Sequence, residues 1–197
     1  NESGFAGATN WSFLRAGEVY PGYPKYRELQ YGHADGNQWV AAECDVSIRP
    51  GWFYHPEEDD KVKTVDQLTD LYYRSVGHNA TLLLNFPVDR NGLIHPTDSL
   101  NAVSFHQRVQ KELADNLLSS AKVSASDERG GQFKVRAVTD GKYDTYWATN
   151  DGVTIADLTF TFSQPTKMNR VMIQEYIRLG QRVKSFVVEY KKGDQWL

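Results

Sequence analysis

The sequence predicts an α/β unit, the C-terminal portion of an α/β barrel, followed by a partial antiparallel β-sandwich. Between residues 39 and 117 the pattern runs strand, helix, strand, helix, whereas after Ser119 apolar residues tend to recur at every second position. Charge divides the chain in the same way: residues 1–118 hold 10 basic and 16 acidic groups, and residues 119–197 hold 12 and 9. We therefore predict two domains, residues 1–118 and 119–197.

The first 38 residues are predicted to form a long irregular loop. Their glycines and prolines recur at intervals that fit neither the helical nor the strand period. Eleven of the 25 aromatic residues of the chain lie within its first 55 residues. Because disordered segments are poor in aromatic residues, this stretch is typical of a binding loop.

The first predicted strand covers residues 40–48 and is stopped by Pro50 and Gly51. The helix that follows is predicted to begin after Thr64, with Gln67 completing a capping box, and to end at a glycine cap formed by Gly77. An apolar stripe along this helix supports the assignment.

The next strand, residues 80–84, is too apolar for a half-exposed strand and is predicted to be buried on both faces. A second helix follows, capped by Thr97 or Asp98, with an apolar stripe that extends to Leu113 and Leu117. This order implies parallel strands with right-handed crossovers. Since two strands cannot close a sheet, we expect the earlier strands of the barrel to lie upstream of Asn1.

Alternating apolar residues at 157–162, 171–173 and 186–189 predict the strands of the second domain. Asp-Gly or Lys-Gly pairs at 140–141, 151–152 and 192–193 predict the turns between short antiparallel strands. The chain ends within a predicted element, so we expect this domain to be cut short as well.

Composition excludes several classes of protein. The net charge of −3 and the pI of about 6.0 give little electrostatic support to binding of nucleic acid or anionic membranes. No apolar run reaches the roughly 18 residues that a membrane span needs. A single cysteine, Cys44, rules out an internal disulfide framework. A metal-dependent phosphoesterase is disfavoured because no His, Asp and Glu cluster has ligand spacing.

Two carboxylates on the first strand are the main candidates for chemistry. Glu43 and Asp45 lie two residues apart, so their side chains project from the same face of the strand. Active sites of α/β barrels lie at the carboxyl ends of the strands. The residues 49–54 that follow read Arg-Pro-Gly-Trp-Phe-Tyr and supply aromatic rings for sugar C–H faces and a guanidinium for hydroxyls. The alternative is an ordinary solvated or ion-paired end of a strand.

Residues 39–55, which read Trp-Val-Ala-Ala-Glu-Cys-Asp-Val-Ser-Ile-Arg-Pro-Gly-Trp-Phe-Tyr-His, resemble the α-L-fucosidase family of retaining glycoside hydrolases. The resemblance is greatest to the branch selective for α-1,3/1,4-linked fucose. It continues through residues 71–77 and 79–87 and covers roughly residues 1–118, including Asn1-Glu2 and residues 9–12. It implies a (β/α) barrel that hydrolyses terminal α-L-fucosyl linkages with retention of configuration.

The resemblance also implies roles for individual residues. Glu43 matches the general acid/base, while Trp52, Arg49 and Asp45 are expected to bind substrate. For Trp52 the alternative is packing beneath its loop, for Arg49 a structural ion pair, and for Asp45 a structural acceptor. The family nucleophile lies on an earlier strand, in a motif that we do not find in this chain. We expect it on an upstream stretch or a companion chain, without which this chain is inactive.

Fucosylated oligosaccharides or glycoconjugates are thus the expected partners, and no cofactor is expected for catalysis. The family resemblance favours a periplasmic or extracellular location. The alternative function is a non-catalytic protein that binds fucosylated glycans.

Residues 137–149, with 158–160 and 171–175, resemble the discoidin or coagulation-factor type C sandwich. Such domains often hold a structural Ca²⁺ near this turn, where Asp140 and Thr145 offer hard oxygen ligands. The alternative is a turn in which Asp140 caps its own backbone. Trp147 is expected to be a core residue and not a platform for sugar.

Overall fold

The fold is described from a computed structural model, which describes residues 13–18, 20, 24–25, 28, 31–180 and 182–197. The chain divides into two compact units, residues 1–115 and 116–197. Residues 1–12, which carry Phe5, Trp11 and the opening part of the family resemblance, lie outside the described residues, as do Tyr23 and Tyr26.

The predicted irregular loop contains a short antiparallel pair of strands. Strand β1 (Phe13–Leu14) pairs with β2 (Gln38–Trp39), so that Phe13 lies opposite Trp39. His33 lies buried beside them, where its Nδ1 accepts a hydrogen bond from the Arg15 amide at 3.2 Å. This part of the loop is therefore held by backbone pairing.

Strands β3 (Ala42–Ser47) and β4 (Ala80–Asn85) form a parallel pair with six residues in register. Helix α1 (Val65–Ser75) connects them, which confirms the predicted crossover. In this register Glu43 lies opposite Thr81 and Asp45 opposite Leu83.

Helix α1 begins as predicted and ends differently. The Thr64 hydroxyl accepts from the Gln67 amide at 3.3 Å and the Gln67 side chain accepts from the Thr64 amide at 2.9 Å, which confirms the capping box. The predicted glycine cap is wrong, because Gly77 lies within a 3-10 turn, Val76–His78. Asn79 takes the left-handed conformation instead, with φ of 65°, which an asparagine side chain tolerates.

Helix α2 (Pro96–Glu112) has a different cap from those predicted. The Nδ1 of His95 accepts a hydrogen bond from the Thr97 amide at 3.3 Å, and Pro96 occupies the first helical position. Asp98 does not cap the helix because its carboxylate binds Arg49. Leu113 lies at the end of α2, and Leu117 begins a separate 3-10 helix, Leu117–Ser120.

The two faces of the β3–β4 sheet differ in their packing. One face packs against the helices through Ile48, Val62 and Leu68, which are buried together with Leu84, Phe86 and Phe105 around them. The other face carries Glu43, Asp45 and Leu83, and Leu83 is 49% exposed. The prediction that this strand is buried on both faces is wrong for the described chain, because about half of the Leu83 surface is exposed.

In the second unit, β5 (Lys122–Ala125) pairs antiparallel with β6 (Leu158–Thr161), and β7 (Lys191–Lys192) pairs with β8 (Gln195–Trp196). Gly141, Gly152 and Gly193 have positive φ at the three predicted turns. The strands predicted at 171–173 and 186–189 are absent from the described structure, where these residues have no strand partner. The indole of Trp147 is half-buried and donates to the Asp127 carbonyl at 3.0 Å.

None of the helices in the described part of the chain has the length and apolar character that crossing a bilayer requires.

Candidate active site at the carboxyl end of β3

Glu43 and Asp45 project from the face of the sheet that lies opposite the helices, as their spacing predicts. Both side chains are half-buried. Among the described residues, neither carboxylate has an ion pair, and the Oδ1 of Asp45 is buried without a hydrogen-bond partner. Since an unpaired buried carboxylate is costly, this face is suited to a partner that the described residues do not provide.

The loop after β3 is tied to the ends of both strands by Asn85. The Asn85 side-chain amide donates to the Ser47 hydroxyl and to the Trp52 carbonyl, both at 3.1 Å. Lys63 adds a second tie, because its ammonium group donates to the Ser47 carbonyl at 2.6 Å. Burial lowers the pKa of Lys63. The backbone at the carboxyl end of β3 is therefore fixed by polar side chains from two other segments.

Trp52 and Phe53 expose their rings at this end of the sheet. Their exposed fractions are 51% and 78%, although the backbone that carries them is tethered. The alternative of a Trp52 packed beneath its loop does not describe this arrangement. An exposed indole offers an apolar surface for the C–H face of a sugar.

Arg49 lies beneath this loop with a side chain that is 0% exposed. Its Nε and Nη2 donate to the two oxygens of Asp98 at 2.8 and 2.9 Å, and Nη2 lies 2.9 Å from Asp59. The hydrogen bond to Asp98 is the main cause that raises the pKa of Arg49. Of the two interpretations of Arg49, these contacts correspond to the structural ion pair.

Sequence reasoning missed three residues that build this region: Asp98, Asn85 and Lys63. The local pattern at Asp98 predicts a helix cap, and Asn85 lies within the stretch that carries the family resemblance. Lys63 had no local pattern, because its acceptors, the Ser47 and Arg49 carbonyls, come from the end of another element. Of the three, only Asn85 carries a signal in the sequence, because it is a polar residue at the carboxyl end of a parallel strand, where active sites of α/β barrels lie.

In the second unit, Asp140 and Thr145 lie together on one turn. The Oδ1 of Asp140 accepts from the Lys142 amide at 2.9 Å, and its Oδ2 accepts from the Thr145 hydroxyl at 2.8 Å. These bonds, the amide first, lower the pKa of Asp140. The turn thus caps its own backbone, the alternative that the sequence left open.

The same turn presents oxygens of the type that calcium prefers. The Lys142 carbonyl lies 3.4 Å from the Thr145 hydroxyl, so carboxylate, hydroxyl and carbonyl oxygens are adjacent. The described residues contain no group of three His, Cys, Asp or Glu that could hold a metal. Calcium takes six to eight oxygens, so an ion here would need further backbone carbonyls or water. The oxygens of this turn are of the type that calcium prefers, although few of them come from carboxylates.

This parallel α/β unit carries two carboxylates on one face of β3 and an exposed tryptophan in the loop that follows the strand. Comparison with known proteins gives the family. The chain is 38% identical to α-L-fucosidase 1 of Arabidopsis thaliana over 200 residues, covering 98% of this chain and 38% of that protein. Residues 121–197 match the model of the F5/8 type C domain.

Solved structures agree with this result. A Bacteroides thetaiotaomicron crystal structure that carries the α-L-fucosidase name is 44% identical, with a TM-score of 0.75, and the match covers 83% of this chain and 36% of that one. A Ruminococcus gnavus GH29 fucosidase in complex with fucose is 32% identical, with a TM-score of 0.67, over 80% of this chain and 32% of that one.

The chain belongs to the α-L-fucosidase family, glycoside hydrolase family 29, and carries an F5/8 type C domain. It spans 38% of the length of the curated relatives it matches.

Proposed function

We propose that residues 1–118 form the C-terminal part of the catalytic (β/α) barrel of an exo-α-L-fucosidase, and that Glu43 is its general acid/base. The observation that carries this proposal is that Glu43 and Asp45 share the sheet face opposite the helices, where Leu83 is 49% exposed and the buried Oδ1 of Asp45 has no hydrogen-bond partner among the described residues. In a closed barrel this face lines the interior, where further strands cover Leu83 and bring an opposed carboxylate. Similarity to fucosidases over nearly the whole chain supports the assignment.

In the first step of the proposed reaction, the nucleophilic carboxylate attacks the anomeric carbon of a terminal fucosyl residue. Glu43 gives its proton to the glycosidic oxygen, and the bond between that oxygen and the anomeric carbon breaks. In the second step Glu43 takes a proton from water, the water oxygen attacks the anomeric carbon, and the ester bond breaks. Two displacements return the original configuration.

The nucleophile comes from outside these residues, on an upstream stretch or a companion chain. Retention requires the two carboxyl groups about 5 to 5.5 Å apart. Esterification removes the negative charge of the nucleophile, after which Glu43 acts as the base. The chain therefore supplies half of the catalytic pair.

Substrate recognition uses the residues beside Glu43. Trp52 stacks on the apolar face of the fucosyl ring, and the unpartnered Oδ1 of Asp45 accepts a hydrogen bond from a sugar hydroxyl or from a neighbouring strand. The resemblance of residues 39–55 supports α-1,3/1,4-linked fucose as the substrate class. Because such linkages occur on oligosaccharides and glycoconjugates, we place the enzyme in the periplasm or outside the cell.

The second domain is proposed to be part of a discoidin-like β-sandwich. The match of residues 121–197 to the F5/8 type C model and the antiparallel pairs β5–β6 and β7–β8 support it. Asp140 and Thr145 are the proposed ligands of a structural Ca²⁺ in this domain.

The test is Glu43→Gln and Glu43→Ala in the full-length product of the gene, assayed on aryl fucosides with good and poor leaving groups. Loss of the acid predicts a large fall in rate with the poor leaving group, a smaller fall with the good one, and partial rescue of Glu43→Ala by azide. The matched control is Glu189→Gln, an exposed glutamate of the second unit.

Equal losses on both substrates, without azide rescue, would remove Glu43 from the acid/base role. Binding of fucosylated glycan by an inactive wild-type protein would favour the non-catalytic alternative.

A further inference from the structure

We propose that Arg49 is a positioning residue that sets the location of the exposed Trp52–Phe53 tip, the residues 52–53, relative to Glu43. The activity part of this inference rests on the proposed function. Its physical basis is a polar clamp that joins the end of β3, the 3-10 helix Pro56–Lys61 and the beginning of α2.

The anchor of the clamp is the pair between Arg49 and Asp98. Both side chains are 0% exposed, and the guanidinium meets the carboxylate through two hydrogen bonds, of 2.8 and 2.9 Å. This paired geometry suits the planar guanidinium and is not reproduced by lysine. Asp98 also lies in the first turn of α2, where the helix dipole favours a negative charge. The orientation of the guanidinium is therefore fixed as well as its position.

From this anchor Arg49 holds the far side of the loop. Its Nη1 donates to the His55 carbonyl at 3.4 Å, its guanidinium lies 4.6 Å from the centre of the Tyr54 ring, and Asp59 is 2.9 Å from Nη2. On the near side, Asn85 holds the Trp52 carbonyl at 3.1 Å. The tip is thus tied on both sides by polar contacts.

These ties matter because packing does not fix the tip. Trp52 is 51% and Phe53 78% exposed, so about half of the first residue and most of the second are free of buried apolar contacts. A direct sugar contact by Arg49 does not explain the same facts. Its side chain is enclosed, its N–H groups already donate three hydrogen bonds to Asp98 and the His55 carbonyl, and the Asp59 carboxylate lies 2.9 Å from Nη2.

The first experiment does not depend on activity. Chymotrypsin cleaves after exposed aromatic residues, and the tip offers such sites. Limited proteolysis of the full-length product, with the cut sites read by mass spectrometry, is compared for wild type, Arg49→Lys and Arg108→Lys. Arg108 is the matched control, since its guanidinium also bridges two carboxylates, Asp66 and Glu112, but is 41% exposed. We expect cleavage after residues 52–54 to be at least fivefold faster in Arg49→Lys alone.

The second experiment is a double-mutant cycle on KM for an aryl fucoside. Arg49→Lys is expected to raise KM on the order of 10-fold, as a displaced binding group does. In a Trp52→Ala background the same substitution is expected to change KM less than twofold, because there is no longer a ring to position. A direct contact between Arg49 and the substrate, or a general structural role of Arg49, would instead give additive effects on KM.

The outcomes separate the two hypotheses. Unchanged cleavage at the tip, or additive effects on KM, overturns the positioning role. If Arg49→Lys does not fold, Asp59→Asn replaces it, because Asp59 is 35% exposed and its substitution leaves the buried Arg49–Asp98 pair in place. If wild type has no fucosidase activity, the proposed function fails, and the proteolysis comparison alone decides the role of Arg49.

Discussion

Arg49 and Asp98 are 49 residues apart in the sequence, yet two hydrogen bonds, of 2.8 and 2.9 Å, join them with no exposed surface on either side chain. The pair connects the end of β3 to the beginning of α2. It lies below the loop that presents Trp52, so one buried contact links the α/β core to the candidate site.

The first prediction concerns the stability of this pair. Asp98→Ala leaves a buried guanidinium without its main partner, and we expect a loss of about 3–5 kcal/mol in the free energy of unfolding. The control is Asp70→Ala, which breaks an exposed contact of 3.4 Å to Arg74 and should cost less than about 1 kcal/mol. Denaturant unfolding measures both. Equal losses of unfolding free energy in the two variants would contradict a larger stabilising contribution from Asp98.

A second prediction tests the helix caps. Thr64→Ala removes the hydroxyl of the capping box of α1 and should cost about 0.5–2 kcal/mol. Thr97→Ala should cost less than about 0.5 kcal/mol, because His95 and not Thr97 caps α2. Thermal unfolding of the two variants gives the comparison. A larger loss of stability for Thr97→Ala would instead support Thr97 as the cap of α2, as the sequence pattern predicts.

A third prediction concerns the acid sensitivity of the Asp140 turn. Hydrogen bonds from the Lys142 amide and the Thr145 hydroxyl lower the pKa of Asp140 below its ordinary value of 3.8. Because the folded-state pKa is the lower one, the stabilisation is complete above the ordinary value and is lost as pH falls through the lowered pKa. Carboxyl NMR titration should show that Asp140 titrates below this ordinary value. An Asp140 that titrates at or above the ordinary value would contradict these bonds.

The fourth prediction is calcium binding by the second domain. A ligand at 100 times its dissociation constant stabilises a folded protein by about 2.7 kcal/mol, so calcium should raise the unfolding midpoint and a chelator should reverse the rise. Asp140→Asn should abolish this shift, whereas Asp144→Asn, on the exposed side of the same turn, should keep it. An unchanged unfolding midpoint for wild type across a calcium titration would contradict calcium binding by this domain.

Part of the candidate site follows from local pattern. The two-residue spacing of Glu43 and Asp45 places them on one face of β3, and the order of elements predicts the parallel register with β4, which the structure confirms. Exposure of Leu83 could not be predicted this way, since an apolar strand is interpreted as buried unless one knows which neighbours cover it.

The sequence by itself determined the beginning of α1, the parallel order of β3 and β4, the turn positions of the second unit and the family. All of these depend on residues close together in the chain. Only the tertiary structure decided that Asp98 pairs with Arg49 instead of capping α2, and that Asn85 and Lys63 hold the end of β3. These partners lie 16 to 49 residues apart in the chain, and only the packing of α1 and α2 on the sheet brings these polar groups together.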